Sequence, residues 1–281
     1  MQTWQTFERT LTGQHWRYVD TQPAGDKPIA LLLHGFTLGS SLLTYAPLAA
    51  RLQGDYRVIV PDLPGFGGSA ALTTDPPDSD AYARALAGFI DGLQLEPFFV
   101  VAFSMGGAVT LRYLQAYLAD TERLRGLVLV SSYGLRTLPF PPLLLPLGLR
   151  GKFAERLANP LLGNPTRVTW LMRHLVLSQR VEPSLIAEVC ANKLELPPAF
   201  MAWLRSEVTW LAHRHNDADV LAELTCPLHL VHGGRDIVVP VWDSRRAAKR
   251  YNLPVTVVAK GGHWLPRQVP EVLEQHLRNL A

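Results

Sequence analysis

Three residues of unlike type stand out for what they could do together: Ser104, Asp236 and His263. A serine hydroxyl attacks a carbonyl carbon only when a neighbouring base takes its proton. An imidazole serves as that base when a carboxylate fixes its tautomer and steadies its charged form. Ser104 ends the apolar run Phe98-Phe99-Val100-Val101-Ala102-Phe103 and is followed by Met105-Gly106-Gly107. This is the pattern of a serine held at a tight strand-to-helix turn, G-x-S-x-G, with Ala102 at the first glycine position. Asp236 lies in His232-Gly233-Gly234-Arg235-Asp236-Ile237-Val238-Val239-Pro240, and His263 in Ala259-Lys260-Gly261-Gly262-His263-Trp264. Each follows its own short apolar run, and the order serine, acid, histidine suits groups gathered at one carboxyl edge of a sheet. The chemistry this set could perform is nucleophilic acyl transfer, with activity rising as His263 loses its proton. The oxyanion that forms needs donors, which the sequence assigns to the backbone N–H groups of Phe36 and Met105. One such donor is worth about 3–4 kcal/mol.

These residues need elements to hold them. Residues 4–20 read as a hairpin about Thr12-Gly13. Short buried strands are expected at Ile29–Leu33, Arg57–Val60, 98–103, Leu127–Val130, Leu228–Val231 and Val255–Val258. Helical periodicity covers 80–93, Met105 to Leu118, 242–251 and 269–280. Apolar strands alternating with helices predict an α/β fold: a mostly parallel central sheet with helices on both faces. The loop Pro61-Asp62-Leu63-Pro64-Gly65-Phe66-Gly67-Gly68-Ser69 is rigid by composition, and Asp62 reads as its structural clasp.

Residues 134–222 break the rhythm. They open with a Leu/Pro run over 138–148 and continue as helical pieces rich in Leu, Trp and Arg. The expected division is a core of 1–133 and 223–281, with 134–222 inserted as a helical cap. The prolines and the shortness of the run argue for apolar packing over the core rather than a membrane span. The expected substrate pocket combines Phe103 and Trp264, which flank the chemistry, with Phe140, Leu144, Trp170, Trp203 and Trp210 of the cap.

Composition bounds the partners. The 281 residues are 48% hydrophobic and 18% charged, enough for one large domain with a sizeable core. A net charge of +3 with no Lys/Arg run leaves no footprint for nucleic acid. Cys190 and Cys226 lack metal or redox spacing and read as free thiols in a reducing compartment. The first residues lack a basic start and an apolar stretch, so a cytoplasmic protein without stable membrane insertion is expected. His213-Arg214-His215-Asn216-Asp217 has a metal-like spacing but reads as a solvated turn. No metal or organic cofactor is expected.

Five ordered motifs together resemble the α/β-hydrolase fold superfamily over nearly the whole chain. Leu33-His34-Gly35-Phe36 is similar to its oxyanion strand and Asp62–Ser69 to its next loop. Ala102–Gly107 is similar to the nucleophile turn, Gly233–Asp236 to the acid loop and Gly262-His263-Trp264 to the base loop. The departures narrow the family. Ser104 separates the chain from branches whose nucleophile is aspartate, the dehalogenases and epoxide hydrolases. His34-Gly35-Phe36-Thr37-Leu38 differs from the His-Gly-Gly-Pro-Gly of proline iminopeptidases. The resemblance implies an esterase-like serine hydrolase acting on a small-molecule carboxylic ester with a hydrophobic acyl or alcohol part. The alternatives are carbon–carbon bond hydrolysis of ring-fission diketones, acyl transfer to another acceptor such as peroxide, and a non-catalytic ligand receptor.

Overall fold

The computed structural model describes residues 4–36, 41–74, 77–95, 97–117, 122–135, 164–177, 183–191, 198–207 and 214–281. Eight strands form one sheet in the order β1-β2-β4-β3-β5-β6-β7-β8. They are β1 (Thr6–Leu11), β2 (Gln14–Asp20), β3 (Ile29–Leu33), β4 (Arg57–Pro61), β5 (Phe98–Phe103), β6 (Leu124–Val130), β7 (Leu228–Gly233) and β8 (Val255–Val258). β1 and β2 form the expected antiparallel hairpin, and β2 runs antiparallel to β4. All pairs from β4 to β8 are parallel, as the alternation of strand and helix predicts.

The central strands are apolar on both faces because both are covered. Along β3, Ile29, Leu31 and Leu33 face one hydrophobic cluster, while Ala30 and Leu32 face the other. The first cluster includes residues of α2 (Ser79–Gly92) and α3 (Met105–Ala116). The second includes α1 (Ser41–Leu52) and the C-terminal helix (Pro270–Leu280). The helix α1 has no counterpart in the sequence pattern, since Pro47 inside it and its short side chains blur the period. Strand β6 begins three residues before the apolar run, with Leu124 paired to Phe98.

Between β6 and β7 the described regular elements are helical. They comprise α4 (Pro165–Leu171), a π turn at Met172–Val176, α5 (Pro183–Ala191), α6 (Pro198–Glu207) and a 3-10 turn at Ala218–Ala222. Asn164 caps α4 by accepting from the N–H groups of Thr166 and Arg167. Helix α6 is bolted to α2. The buried Glu207 carboxylate accepts the Ser79 N–H at 2.9 Å, and the Trp203 indole donates to the Ser79 hydroxyl at 3.1 Å. After β7 come α7 (Val241–Tyr251), β8, α8 (Leu265–Gln268) and α9 (Pro270–Leu280). The helix expected at 269–280 is α9, which Pro270 opens, and the short turn α8 with Pro266 precedes it. No helix among the described residues is long and apolar enough to cross a membrane. Cys190 and Cys226 are free.

Candidate active site

Ser104 connects β5 to α3 with φ +53° and ψ −118°, a backbone conformation a non-glycine residue adopts only under constraint. The constraint is visible. The Ser104 N–H donates to the Val130 carbonyl, and the Ser104 carbonyl accepts from Gly107, Ala108 and Tyr133. The turn also requires small neighbours. A β-carbon at Gly106 would meet the carbonyl oxygens of Leu33 and His34, and one at Gly35 would lie 2.6 Å from the Ser104 β-carbon. Ala102 is fully buried in β5 and stands at the first glycine position of the pattern.

The loops after β7 and β8 bring the other two residues to Ser104. His263 Nε2 lies 3.0 Å from Ser104 Oγ, and its Nδ1 lies 2.7 Å from Asp236 Oδ2. Ser104, Asp236 and His263 are 8%, 8% and 7% exposed, so the set is shielded yet reachable. Nδ1 facing a carboxylate carries the hydrogen, which leaves Nε2 as acceptor for the serine hydroxyl. The His263 loop is clamped from the helical segment: the Val176 carbonyl accepts the His263 N–H at 2.6 Å. Gln268 bridges the Gly262 N–H and the Leu177 carbonyl. The Phe103 ring packs on the His263 ring at 4.8 Å.

Asp236 receives four hydrogen bonds. Oδ1 accepts the Val238 and Val239 N–H groups, each at 2.9 Å; Oδ2 accepts from His263 and from the fully buried His232, whose Nε2 lies 3.3 Å away. Burial pushes the Asp236 carboxyl up. The charge of His263 and the hydrogen bonds of both imidazoles outweigh that and hold it well below the usual carboxylate range. His232 Nε2 is also 2.9 Å from the Val239 carbonyl, so it carries the hydrogen, and Nδ1 accepts from the Ser244 hydroxyl at 2.7 Å. Sequence reading treats His232 only as the first residue of the loop that carries Asp236. Its spacing from Asp236 is the one available signal, and only the fold turns both side chains to a common point.

The turn after β3 is held by His34. Its Nδ1–H donates to the Gly35 carbonyl, and its Nε2 accepts the Leu63 N–H at 2.9 Å. Burial lowers the proton affinity of this imidazole against the pull of Asp62, consistent with the neutral ring that the Leu63 contact requires. Asp62 accepts the Ser41 and Gly68 N–H groups, which fastens the loop to the start of α1. Met105 is the first residue of α3, so its N–H has no carbonyl within the helix to take it. Phe36 is partly buried, its ring 4.8 Å from that of Phe200 on α6.

The expected pocket residues divide. Phe103 lies against the His263 ring. Trp203 and Trp264 are buried, with their indole N–H groups committed to the hydroxyls of Ser79 and Thr44. Trp170 is 57% exposed and packs beside His174. Phe140, Leu144 and Trp210 lie outside the described residues. Within the metal-like spacing, His215 contacts the carboxylates of Glu207 and Asp80, and His213 lies outside the described residues. Among the described residues no group of three or more His, Cys, Asp or Glu could hold a metal ion.

The family model of the alpha/beta hydrolases matches residues 30–275, from the second residue of β3 through β8 and all three loops above. The chain belongs to the alpha/beta hydrolase family. A thermophilic esterase from Thermogutta terrifontis, solved with malate bound, is similar in structure with a TM-score of 0.75 and 26% identity. The match covers 98% of this chain and 97% of that one. A putative carbamate hydrolase of Caulobacter sp. strain K31 is 29% identical over 92% of this chain and 91% of its own length. The magnesium-chelatase 30 kDa subunit of Rhodobacter capsulatus is 35% identical, but the match spans only 44% of this chain and 47% of that protein.

Proposed function

We propose that this alpha/beta hydrolase cleaves carboxylic esters with a hydrophobic acyl or alcohol part through an acyl-enzyme on Ser104. The observation that carries the reading is the unbroken relay from Ser104 Oγ through His263 to Asp236, at 3.0 and 2.7 Å. His263 Nε2 takes the hydroxyl proton as Ser104 Oγ bonds to the ester carbonyl carbon. Asp236 steadies the imidazolium without taking its proton. The Phe36 and Met105 amides hold the oxyanion. Collapse of the tetrahedral adduct breaks the bond to the alcohol oxygen, which leaves with the proton from His263. Water then attacks the acyl-enzyme by the same steps, releasing the acid and restoring Ser104. The esterase from Thermogutta terrifontis, alike over nearly its whole length, supports an ester as the substrate class.

In this reading residues 134–222 are a cap over the carboxyl edge. Its described helices support that role where the Val176 carbonyl grips the base loop and Phe200 meets Phe36. The Phe36–Phe200 contact supports an apolar wall for the substrate. The two free cysteines suit a reducing cytoplasm. The test is turnover of a p-nitrophenyl ester series from acetyl to dodecanoyl by wild type and Ser104→Ala. Turnover that falls about a thousandfold or more in the variant, with longer chains preferred, is expected. A folded wild type that hydrolyses no ester overturns the reading. Equal rates for short and medium chains overturn the apolar pocket.

A further inference from the structure

Four large hydrophobic side chains among the described residues are more than half exposed, and three of them fall within six positions: Ile237 (58%), Val238 (51%) and Trp242 (68%). The first two directly follow Asp236. That carboxylate holds the Val238 and Val239 amides, so the loop is fixed while both side chains stay in solvent. Trp242 begins α7, whose inner face buries Asp243, Ser244, Ala247 and Ala248. Its outer face carries Trp242, Arg245, Arg246 and Lys249, all exposed and spaced i, i+3, i+4, i+7 along one stripe. The Arg245 guanidinium rests over the Trp242 ring at 5.4 Å. Arg245, Arg246 and Lys249 form no ion pair among the described residues, whereas Arg250, one turn beyond Arg246, is paired with Asp219. From Leu224 to Arg250 the only carboxylates are Asp236 and Asp243, and both are buried.

A basic helix face is ordinarily a solvated surface, but such a surface has no use for an exposed indole joined to two exposed β-branched side chains. We propose that the Ile237–Val238 loop and the outer stripe of α7 form a docking surface for an anionic lipid bilayer. The layout fits a plane of headgroups. Apolar side chains and an indole sit at one end to enter the interface, and cations continue along the helix to meet phosphate charge. A second copy of the chain fits poorly, because a two-fold contact would set this stripe of cations against itself. The surface adjoins the loop that holds Asp236. The lipid contact itself is independent of the hydrolytic reading.

The test is co-sedimentation of the full chain with phosphatidylcholine vesicles, with and without phosphatidylglycerol, at low and high salt. Binding that needs phosphatidylglycerol and weakens in salt is expected. Ser104→Ala should bind as wild type does. Arg245→Ala/Arg246→Ala should weaken binding roughly twentyfold, since each cation near an anionic surface is worth about fivefold. Trp242→Ala should weaken it about tenfold. Circular dichroism checks that each variant is folded. No sedimentation of wild type with anionic vesicles overturns the proposal. So does binding unchanged in both α7 variants, which would assign it to another part of the chain. A Trp242-dependent dimer in sedimentation velocity, without vesicle binding, would make the face a self-contact instead.

Discussion

Replacing His232 separates a positioning role from simple packing. His232→Phe keeps an aromatic ring in the buried space but removes the fourth donor to Asp236. The lost bond is 3.3 Å long and shares its hydrogen with the Val239 carbonyl at 2.9 Å. It therefore belongs at the weak end of hydrogen bonds to charged groups, about 1.5 kcal/mol. If the bond serves to aim the carboxylate at His263, kcat/KM should fall about tenfold. The Ser244 hydroxyl and the Val239 carbonyl also lose their partner, so the fold should weaken by about 1–3 kcal/mol, read from a urea midpoint. The readout that packing alone would not move is the acid limb of kcat/KM. With one donor withdrawn, the Asp236 charge bears more fully on His263 and favours the imidazolium. Activity should then be lost at a higher pH than in wild type. His232→Gln places an amide donor near the Nε2 position and should return both the rate and the limb most of the way. The reasoning fails if His232→Phe hydrolyses esters within about twofold of wild type. It also fails if the rate drops with the limb unmoved, or if Gln and Phe behave alike.

Two other perturbations test different layers. Gly106→Ala drives a β-carbon into the carbonyl oxygens of Leu33 and His34, which are backbone and cannot swing aside. A stability loss of about 3 kcal/mol is expected by chemical denaturation, with ester turnover falling further than stability because the oxyanion strand shifts; an unchanged midpoint would contradict the packing. On the opposite edge, the His229 and His276 rings stack at 3.8 Å, and burial followed by the charge of His276 lowers His229 to about 4. Its folded pKa lies below the unfolded value of about 6.5, so the unfolded chain binds the extra proton and stability falls as pH drops through that window. His276→Gln removes the like charge and should flatten the fall of Tm between about pH 6.5 and 4; parallel curves for the two proteins would refute the coupling.

The parts of the site visible in the sequence are those whose geometry is local. A strand ending at Ser104 before Met105-Gly106-Gly107 leaves the chain little choice of turn. Asp236 and His263 each follow a strand whose length and apolarity are written in a few residues. The parallel run of the central strands follows for the same reason, since strands buried on both faces are apolar throughout. Contacts that depend on a third dimension were not legible. Trp203 and Trp264 are as aromatic as any pocket residue, yet their indoles are committed to Ser79 and Thr44, far away in sequence. His34 reads as half of a His-Gly pair, and only the fold sets its Nε2 on the Leu63 amide. Helix α1 escaped because Pro47 and several alanines weaken the period by which a helix is recognised.

The loop from Gly233 to Pro240 shows why such readings cannot be made residue by residue. Its carboxylate turns inward, where two imidazoles and two amides consume all its acceptor capacity. That wiring fixes the loop with Val239 buried and with Ile237 and Val238 outside. Loosening the loop to bury them would release the Val238 and Val239 amides and unseat the partner of His263. The order of Asp236 and the exposure of its neighbours are thus one structural fact. A variant that buries the loop's apolar side chains should lose ester turnover even with Ser104 and His263 intact.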